Sequence, residues 1–239
     1  QGSSVVKVCE LTVAATGLNE KAAQAAGLSY EKIVLSPLSH AGYYPGGKLM
    51  TMKVLYEKGS QRLLGAQIVG HEGVDKRIDV LATAMQAGLP VTALKDLDLA
   101  YAPPYASAKD PVNLVGFMAE NLEQGVVKQF HWEDVAGLPR DGSVTLLDAR
   151  TPGEYSGGCA EGFVNVPLDE LRDRLGEIAP GKPVYVMCQS GLRSYLACRI
   201  LAQNGYDCYN FSGGYRFYES VLLDRWTRQN AYPCGVERP

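Results

Sequence analysis

The feature that most constrains this chain is a change of rhythm near Gln124-Gly125. Before it, apolar β-branched stretches come first and helical periodicity comes last. After it, short strand patterns and helical patterns alternate to about Leu223. Strands gathered ahead of helices indicate an α+β layer, whereas regular alternation indicates a parallel sheet covered on both faces. With 239 residues the chain can hold two cores of roughly 100 residues each, large enough to fold without staples. The expected organisation is an α+β domain over residues 1–124 and an α/β domain with a parallel central sheet over residues 125–239.

In the first segment, strands are expected in the apolar stretches Val5 to Val13 and Ile33 to Leu35. Leu49 to Tyr56 and Arg62 to Val69 flank the turn Glu57-Lys58-Gly59-Ser60-Gln61 and read as an antiparallel hairpin. Ile78, Leu81, Ala82 and Met85 then fall on one helical face, closed by Gly88 and Pro90. The bend Tyr101-Ala102-Pro103-Pro104-Tyr105 continues neither helix nor central strand. A last helix over about Pro111 to Glu123 carries Leu114, Val115, Met118 and Leu122 on one side.

In the second segment the strand candidates are Val126 to Phe130, Val144 to Leu147, Pro183 to Met187 and Cys208 to Phe211. Helices are expected at Trp132 to Ala136, at Leu168 to Ile178, at Leu192 to Asn204 and at Gly214 to Leu223. Thr151-Pro152-Gly153-Glu154 combines a capping box with Pro at the first helical position, a specific helix start. The tail from Trp226 to Pro239 carries no signal.

Composition excludes several functions. Lys plus Arg number 23 against 26 Asp plus Glu, without the basic excess of a nucleic-acid binder. No apolar run approaches the ~20 residues of a membrane span, so no membrane partner is expected. The first residues read as a strand rather than a signal peptide, and a cytoplasmic location is expected. The six cysteines (Cys9, Cys159, Cys188, Cys198, Cys208, Cys234) form no C-x-x-C pair, and His40, His71 and His131 lie far from any tight cluster. Free thiols are expected rather than a metal site.

One thiol stands apart. Val184 to Met187 deliver Cys188 to the carboxyl edge of the sheet, where open α/β sheets bind ligands. The loop Gln189, Ser190, Gly191 follows, and a helix opens at about Leu192 or Arg193. Amides of such a turn point inward as an anion-binding nest, and the helix N-terminus adds partial positive charge. Gly191 supplies the backbone freedom, and Arg193 sits at the rim or braces the loop. This setting favours a thiolate, a persulfide, or an oxyanion beside the sulfur. Cys198, Cys208 and Cys9 fall in a helix, a strand and an early strand, the positions of packed apolar residues.

Residues from about Val126 to Leu223 resemble a rhodanese (sulfurtransferase) domain. The resemblance is carried by Trp132-Glu133-Asp134-Val135, by Leu147-Asp148-Ala149-Arg150-Thr151-Pro152-Gly153-Glu154-Tyr155 and by Glu161 to Leu168. The loop Cys188 to Arg193 and the turn Gly213-Gly214 complete it. It implies Cys188 as the sulfur-carrying nucleophile, Gln189, Ser190, Gly191, Leu192, Arg193 and Ser194 as its cradle, and Asp148 and Arg150 as supports. Where many members have Gly-His-Ile, this chain has Gly158-Cys159-Ala160, and the second thiol is unexplained. Residues 4 to 120 resemble the dimerisation domain of coenzyme A disulfide reductases and NADH-dependent persulfide reductases, of the pyridine nucleotide-disulfide oxidoreductase type. Leu11 to Lys21, Leu64 to Gly70, Tyr101 to Tyr105 and Asp110-Pro111-Val112-Asn113 carry that likeness.

In that family a rhodanese domain is often fused behind the dimerisation domain, and flavin and nicotinamide domains precede it. The resemblance therefore implies FAD, NAD(P)H and coenzyme A for the complete protein, with no cofactor bound by this chain alone, which lacks a G-x-G-x-x-G fingerprint. It implies a homodimer in which Tyr43, Tyr44, Tyr101 or Tyr105 reaches the partner subunit's redox centre. Self-association through the hairpin sheet and the Ile78 to Met85 helix is expected to bury an otherwise apolar face. Polysulfide, thiosulfate and persulfide are the sulfur substrates to weigh.

Two other readings compete. A Cys-loop-Arg phosphatase would also bind an anion there, but the common kind places five residues between Cys and Arg, against four here. A dimerisation and partner-binding module without catalysis would not need Cys188.

Overall fold

In a computed structural model, residues 2–230 are described. Gln1 and residues 231–239 lie outside them, and with them Cys234 and most of the C-terminal tail. The first half builds an antiparallel sheet from β1 (Ser3–Val8), β2 (Leu11–Gly17), β3 (Tyr30–Leu35), β4 (Thr51–Glu57) and β5 (Leu63–Gly70), in the order β1-β2-β5-β4-β3. The β4–β5 hairpin falls where the apolar runs and their turn place it, with a register shift between Leu55 and Tyr56. The stretch Val5 to Val13 is not one strand. Val8 pairs with Leu11, so the chain reverses at Cys9-Glu10, and Cys9 takes a left-handed φ of 51°. Cys9 is thus an exposed turn residue rather than a strand residue.

Helix α1 (Glu20–Ala25) is short and was not evident in the periodicity; the Asn19 side chain accepts from the Ala22 amide and caps it. Helix α2 (Val74–Gln86) lays Ile78, Leu81 and Met85 into the core with Met52, Val54 and Ile68 of the sheet. That face is spent on the chain's own core, so it is not free for the self-association expected of it. Apolar exposure falls instead on the hairpin β1–β2, at Val5, Val6, Val8 and Leu11. Helix α3 (Pro111–Glu123) opens with a capping box of Asp110 and Asn113. Its buried stripe is Val112, Val115 and Ala119 with Met118, while Leu122 packs only partly buried against the core.

The second half is a five-stranded parallel sheet, β6 (Lys128–Phe130), β7 (Thr145–Asp148), β8 (Val164–Asn165), β9 (Val184–Met187) and β10 (Cys208–Phe211), ordered β6-β10-β9-β7-β8. Alternate residues feed two apolar clusters. Leu147, Val184 and Val186 meet Ala197 and Leu201 on one face, and Leu146 and Met187 meet Phe130 and Phe211 on the other. Helices α4 (Pro152–Ser156), α5 (Leu192–Gln203) and α6 (Gly214–Asn230) complete the fold. Two expected helices differ. Trp132 to Ala136 is a turn leading into a 3-10 helix at Val135–Gly137. Leu168 to Ile178 is a chain of turns ending in a 3-10 helix, Leu175–Glu177. Leu171 and Ile178 are buried as the periodicity requires, but the hydrogen bonds run largely from i to i+3, as in Leu171 N to Leu168 O and Ile178 N to Leu175 O. No helix among the described residues is long and apolar enough to cross a membrane.

The two halves meet along the outer edge of β3. The Gln129 side chain donates to Lys32 O at 2.7 Å and Ser212 Oγ accepts from Val34 N at 3.0 Å, while Lys32 and Glu133 form an ion pair at 2.7 Å. An edge strand's unpaired backbone groups are thereby satisfied by side chains of the second domain.

Candidate active site

Strand β9 ends at Met187, and Cys188 follows as a fully buried residue at the carboxyl edge of the sheet. Gly191 adopts φ 99°, which a side chain would strain, and caps α5 without a side-chain bond. Its amide donates to Cys188 Sγ at 3.2 Å, and Ser194 Oγ donates to the same sulfur at 3.3 Å. Ser194 Oγ also lies 2.6 Å from Asn210 Oδ1 and 3.1 Å from Gly191 O. The sulfur therefore sits between an amide, a hydroxyl and the amino end of a twelve-residue helix. All three stabilise negative charge. The back of the loop is held from the next strand's end: Tyr215 N donates to Cys188 O at 2.7 Å and Arg216 N to Gln189 O at 3.1 Å.

Asp148 and Arg150 are buried beside the loop and paired at 2.7 to 3.0 Å. Arg150 also reaches Gln189 Oε1 at 3.3 Å and Gly158 O at 2.7 Å, and stacks on the Tyr215 ring at 4.0 Å. Its charge is neutralised on the spot, and its planar fork fixes three segments at once. Arg193 braces rather than floats at the rim: it grips Glu154 at 2.6 and 2.7 Å. That guanidinium, with the Thr151 bonds of the capping box, holds the Glu154 carboxyl down to about 2. Gln189 and Ser190 line the turn, and Leu192 stands exposed beside it.

Cys159 is exposed and adjoins Gly158, whose carbonyl takes the Arg150 bond. Burial first, and then the nearby Cys159 thiol, raise the Tyr155 phenol above its ordinary value. Cys198 and Cys208 are buried core residues, with Cys208 Sγ 3.2 Å from Cys198 O. Among the described residues no three His, Cys, Asp or Glu side chains are grouped to hold a metal.

The four candidate tyrosines form a separate, exposed group on the first domain. Tyr43 Oη and Tyr101 Oη lie 2.7 Å apart, and Tyr44 packs edge-on against the buried His40. A buried ion pair, Arg77–Asp110, ties their segments together, because Arg77 also donates to Ser39 O and Tyr105 O. Sequence reasoning missed four contributors to the sulfur site: Glu154, Asn210, Gly214 and Tyr215. Glu154 was legible only as a helix cap, and Gly214 only as part of a turn motif.

Both halves of the chain match known protein families. Residues 3–111 match the pyridine nucleotide-disulphide oxidoreductase dimerisation domain family, and residues 131–220 match the rhodanese-like domain family. The chain is thus a dimerisation domain of the first family joined to a rhodanese-like domain. The proteins it is similar to include coenzyme A disulfide and persulfide reductases. A coenzyme A disulfide reductase of Staphylococcus haemolyticus is 40% identical over 121 residues, 51% of this chain and 27% of that protein. The reduced Bacillus anthracis CoADR-RHD superposes over 94% of this chain and 40% of its own, with a TM-score of 0.90 and 47% identity. A NAD-dependent persulfide reductase from A. fulgidus matches over 90% of this chain and 38% of its own, with a TM-score of 0.80 and 39% identity. The chain therefore spans about a quarter of the curated relative's length and two-fifths of the solved structures'.

Proposed function

We propose that this chain is the C-terminal portion of a FAD- and NAD(P)H-dependent coenzyme A disulfide or persulfide reductase, and that it carries a sulfur-transfer site on Cys188. The observation that carries this reading is the sulfur itself, held by Gly191 N–H and Ser194 O–H in front of helix α5. A Cys188 thiolate would attack the outer sulfur of a polysulfide, persulfide or thiosulfate. The S–S bond of the donor breaks, the donor leaves with the electron pair, and Cys188–S–S⁻ remains. The two donors then stabilise the persulfide anion. An acceptor thiolate, such as that of coenzyme A, attacks the terminal sulfur and returns Cys188 to the thiolate. Gln189, Ser190, Leu192 and the Arg193–Glu154 pair shape the loop, and Asp148 with Arg150 hold it from below.

FAD and the nicotinamide are not assigned to the described residues. The described loops include no dinucleotide fingerprint, and the cradle at Cys188 closes on a single sulfur. Those groups belong to the other segments of a complete protein. The division falls at about residue 124, after α3; the chain acts as a homodimer in the cytoplasm, with Tyr43, Tyr44, Tyr101 and Tyr105 offered to a partner subunit. Incubation with polysulfide or thiosulfate should load sulfur on the Cys188 peptide, read by mass spectrometry. Full thiocyanate formation from cyanide by Cys188→Ser would refute the assignment.

A further inference from the structure

The run Asn210 to Gly214 is packed between the Cys188 loop on one side and strand β3 of the first domain on the other. Facing the loop, Asn210 Oδ1 meets Ser194 Oγ at 2.6 Å. Gly214, at φ 74°, lies so close that a Cβ there would stand 2.6 Å from the backbone of Gln189 and Ser190. Facing β3, Ser212 Oγ accepts from Val34 N at 3.0 Å and lies 3.4 Å from Val34 O. Ser36 Oγ donates to Gly213 O at 3.4 Å. A Cβ on Gly213, itself at φ 93°, would stand 2.8 Å from Val34 Cγ1. Val34, Ser212 and Ser194 are all buried, so this is a continuous buried contact.

Close-packed interiors transmit displacement rather than absorb it. A diglycine turn with no side chains of its own owes its shape to what presses on it from both sides. We infer that β3 of the first domain is a positioning element for the sulfur site: Val34 and Ser36, acting through Ser212, Gly213 and Gly214, hold the Cys188 loop in the shape that aims the Gly191 amide and the Ser194 hydroxyl at the sulfur. Docking of the dimerisation domain is then part of what prepares the rhodanese-like domain for chemistry. This role rests on the reading of Cys188 as the sulfur carrier, but the loop geometry can be followed without it.

The test uses the full chain. Val34→Ala removes the methyl groups against Gly213, and Ser212→Ala removes the bonds to Val34. Lys32→Ala is the control, because it breaks the Lys32–Glu133 ion pair at the same domain junction without touching the diglycine turn. The readouts are the pH profile of Cys188 alkylation, followed on its own peptide to exclude Cys9 and Cys159, and the rate of persulfide formation from polysulfide. Weakening one donor bond to the sulfur should slow persulfide formation by about three- to ten-fold at neutral pH, the equivalent of one ordinary hydrogen bond. The alkylation midpoint should move up in both variants, while Lys32→Ala stays at the wild-type values. Unchanged profiles and rates in folded Val34→Ala and Ser212→Ala overturn the proposal, as does an equal shift in Lys32→Ala. Should Ser212→Ala fail to fold, Ser36→Ala takes its place and should shift in the same direction. If the wild type takes up no sulfur while the alkylation shifts appear, the sulfur-transfer reading fails and the positioning role stands.

Discussion

The hydroxyl of Ser194 has one hydrogen and three acceptors within reach: Asn210 Oδ1 at 2.6 Å, Gly191 O at 3.1 Å and Cys188 Sγ at 3.3 Å. While Cys188 is a thiol, its S–H can donate to Ser194 Oγ, and the hydroxyl can donate to Asn210. Once the sulfur is anionic it needs the hydroxyl hydrogen, and Asn210 can then turn its amide and donate through Nδ2 instead. Asn210→Asp removes that option, since a carboxylate only accepts. It also brings a negative charge to a buried position within about 6 Å of the sulfur, because both atoms touch the same hydroxyl. At an effective dielectric constant of about 20, two like charges 6 Å apart repel by about 3 kcal/mol, or roughly two pH units. The alkylation midpoint of the Cys188 peptide should therefore rise by about two units, and persulfide formation at pH 7 should fall by at most about a hundred-fold. Asn210→Ala frees the Ser194 hydroxyl for the sulfur, so its midpoint should stay put or fall. An Asn210→Asp profile that overlays the wild type would refute the reasoning, and so would an Asn210→Ala shift of the same size and sign.

Asp148→Ala strands the buried Arg150 charge and should destabilise the second domain by about 3–5 kcal/mol, visible as a lower urea midpoint; a loss under 1 kcal/mol would show that Gln189, Gly158 and Tyr215 suffice to hold it. Arg193 lowers the Glu154 carboxyl from 4.5 to about 2. Its folded value is depressed, so the associated stability is present above about pH 4.5 and is lost as pH falls toward 2. Glu154→Gln should flatten the urea-midpoint slope in that window and leave the slope at pH 6–8 unchanged. Sedimentation of the chain at tens of micromolar should give a dimer, and Val6→Lys combined with Val8→Lys should weaken it if the exposed β1–β2 hairpin lies in the interface; a monomeric wild type withdraws the dimer.

Much of this architecture is local and was therefore legible in the residues alone. The β4–β5 hairpin, the capping boxes at Asp110 and Thr151, and the strand-loop-helix unit around Cys188 each depend on neighbours a few positions apart. So does the cradle, because Gly191 and Ser194 reach the sulfur from three and six residues away. Periodicity also marked which residues of Leu168 to Ile178 turn inward, but the same stripe of leucines is served by turns as well as by an α-helix. It likewise assigned Ile78, Leu81 and Met85 to a buried face without saying whether their cover was the chain's own sheet or a second copy.

Tertiary structure alone decided the contacts between distant segments. Glu154 and Arg193 stand 39 positions apart, Asn210 and Ser194 stand 16 apart, and Val34 and Ser212 stand 178 apart. A sequence pattern records how strongly each residue avoids water, and that preference has no direction in it. Which carboxylate neutralises Arg193 follows from how α4 and α5 pack at one end of the second sheet, and which strand backs the diglycine turn follows from how the first sheet's edge meets the second domain; only the folded chain holds that geometry.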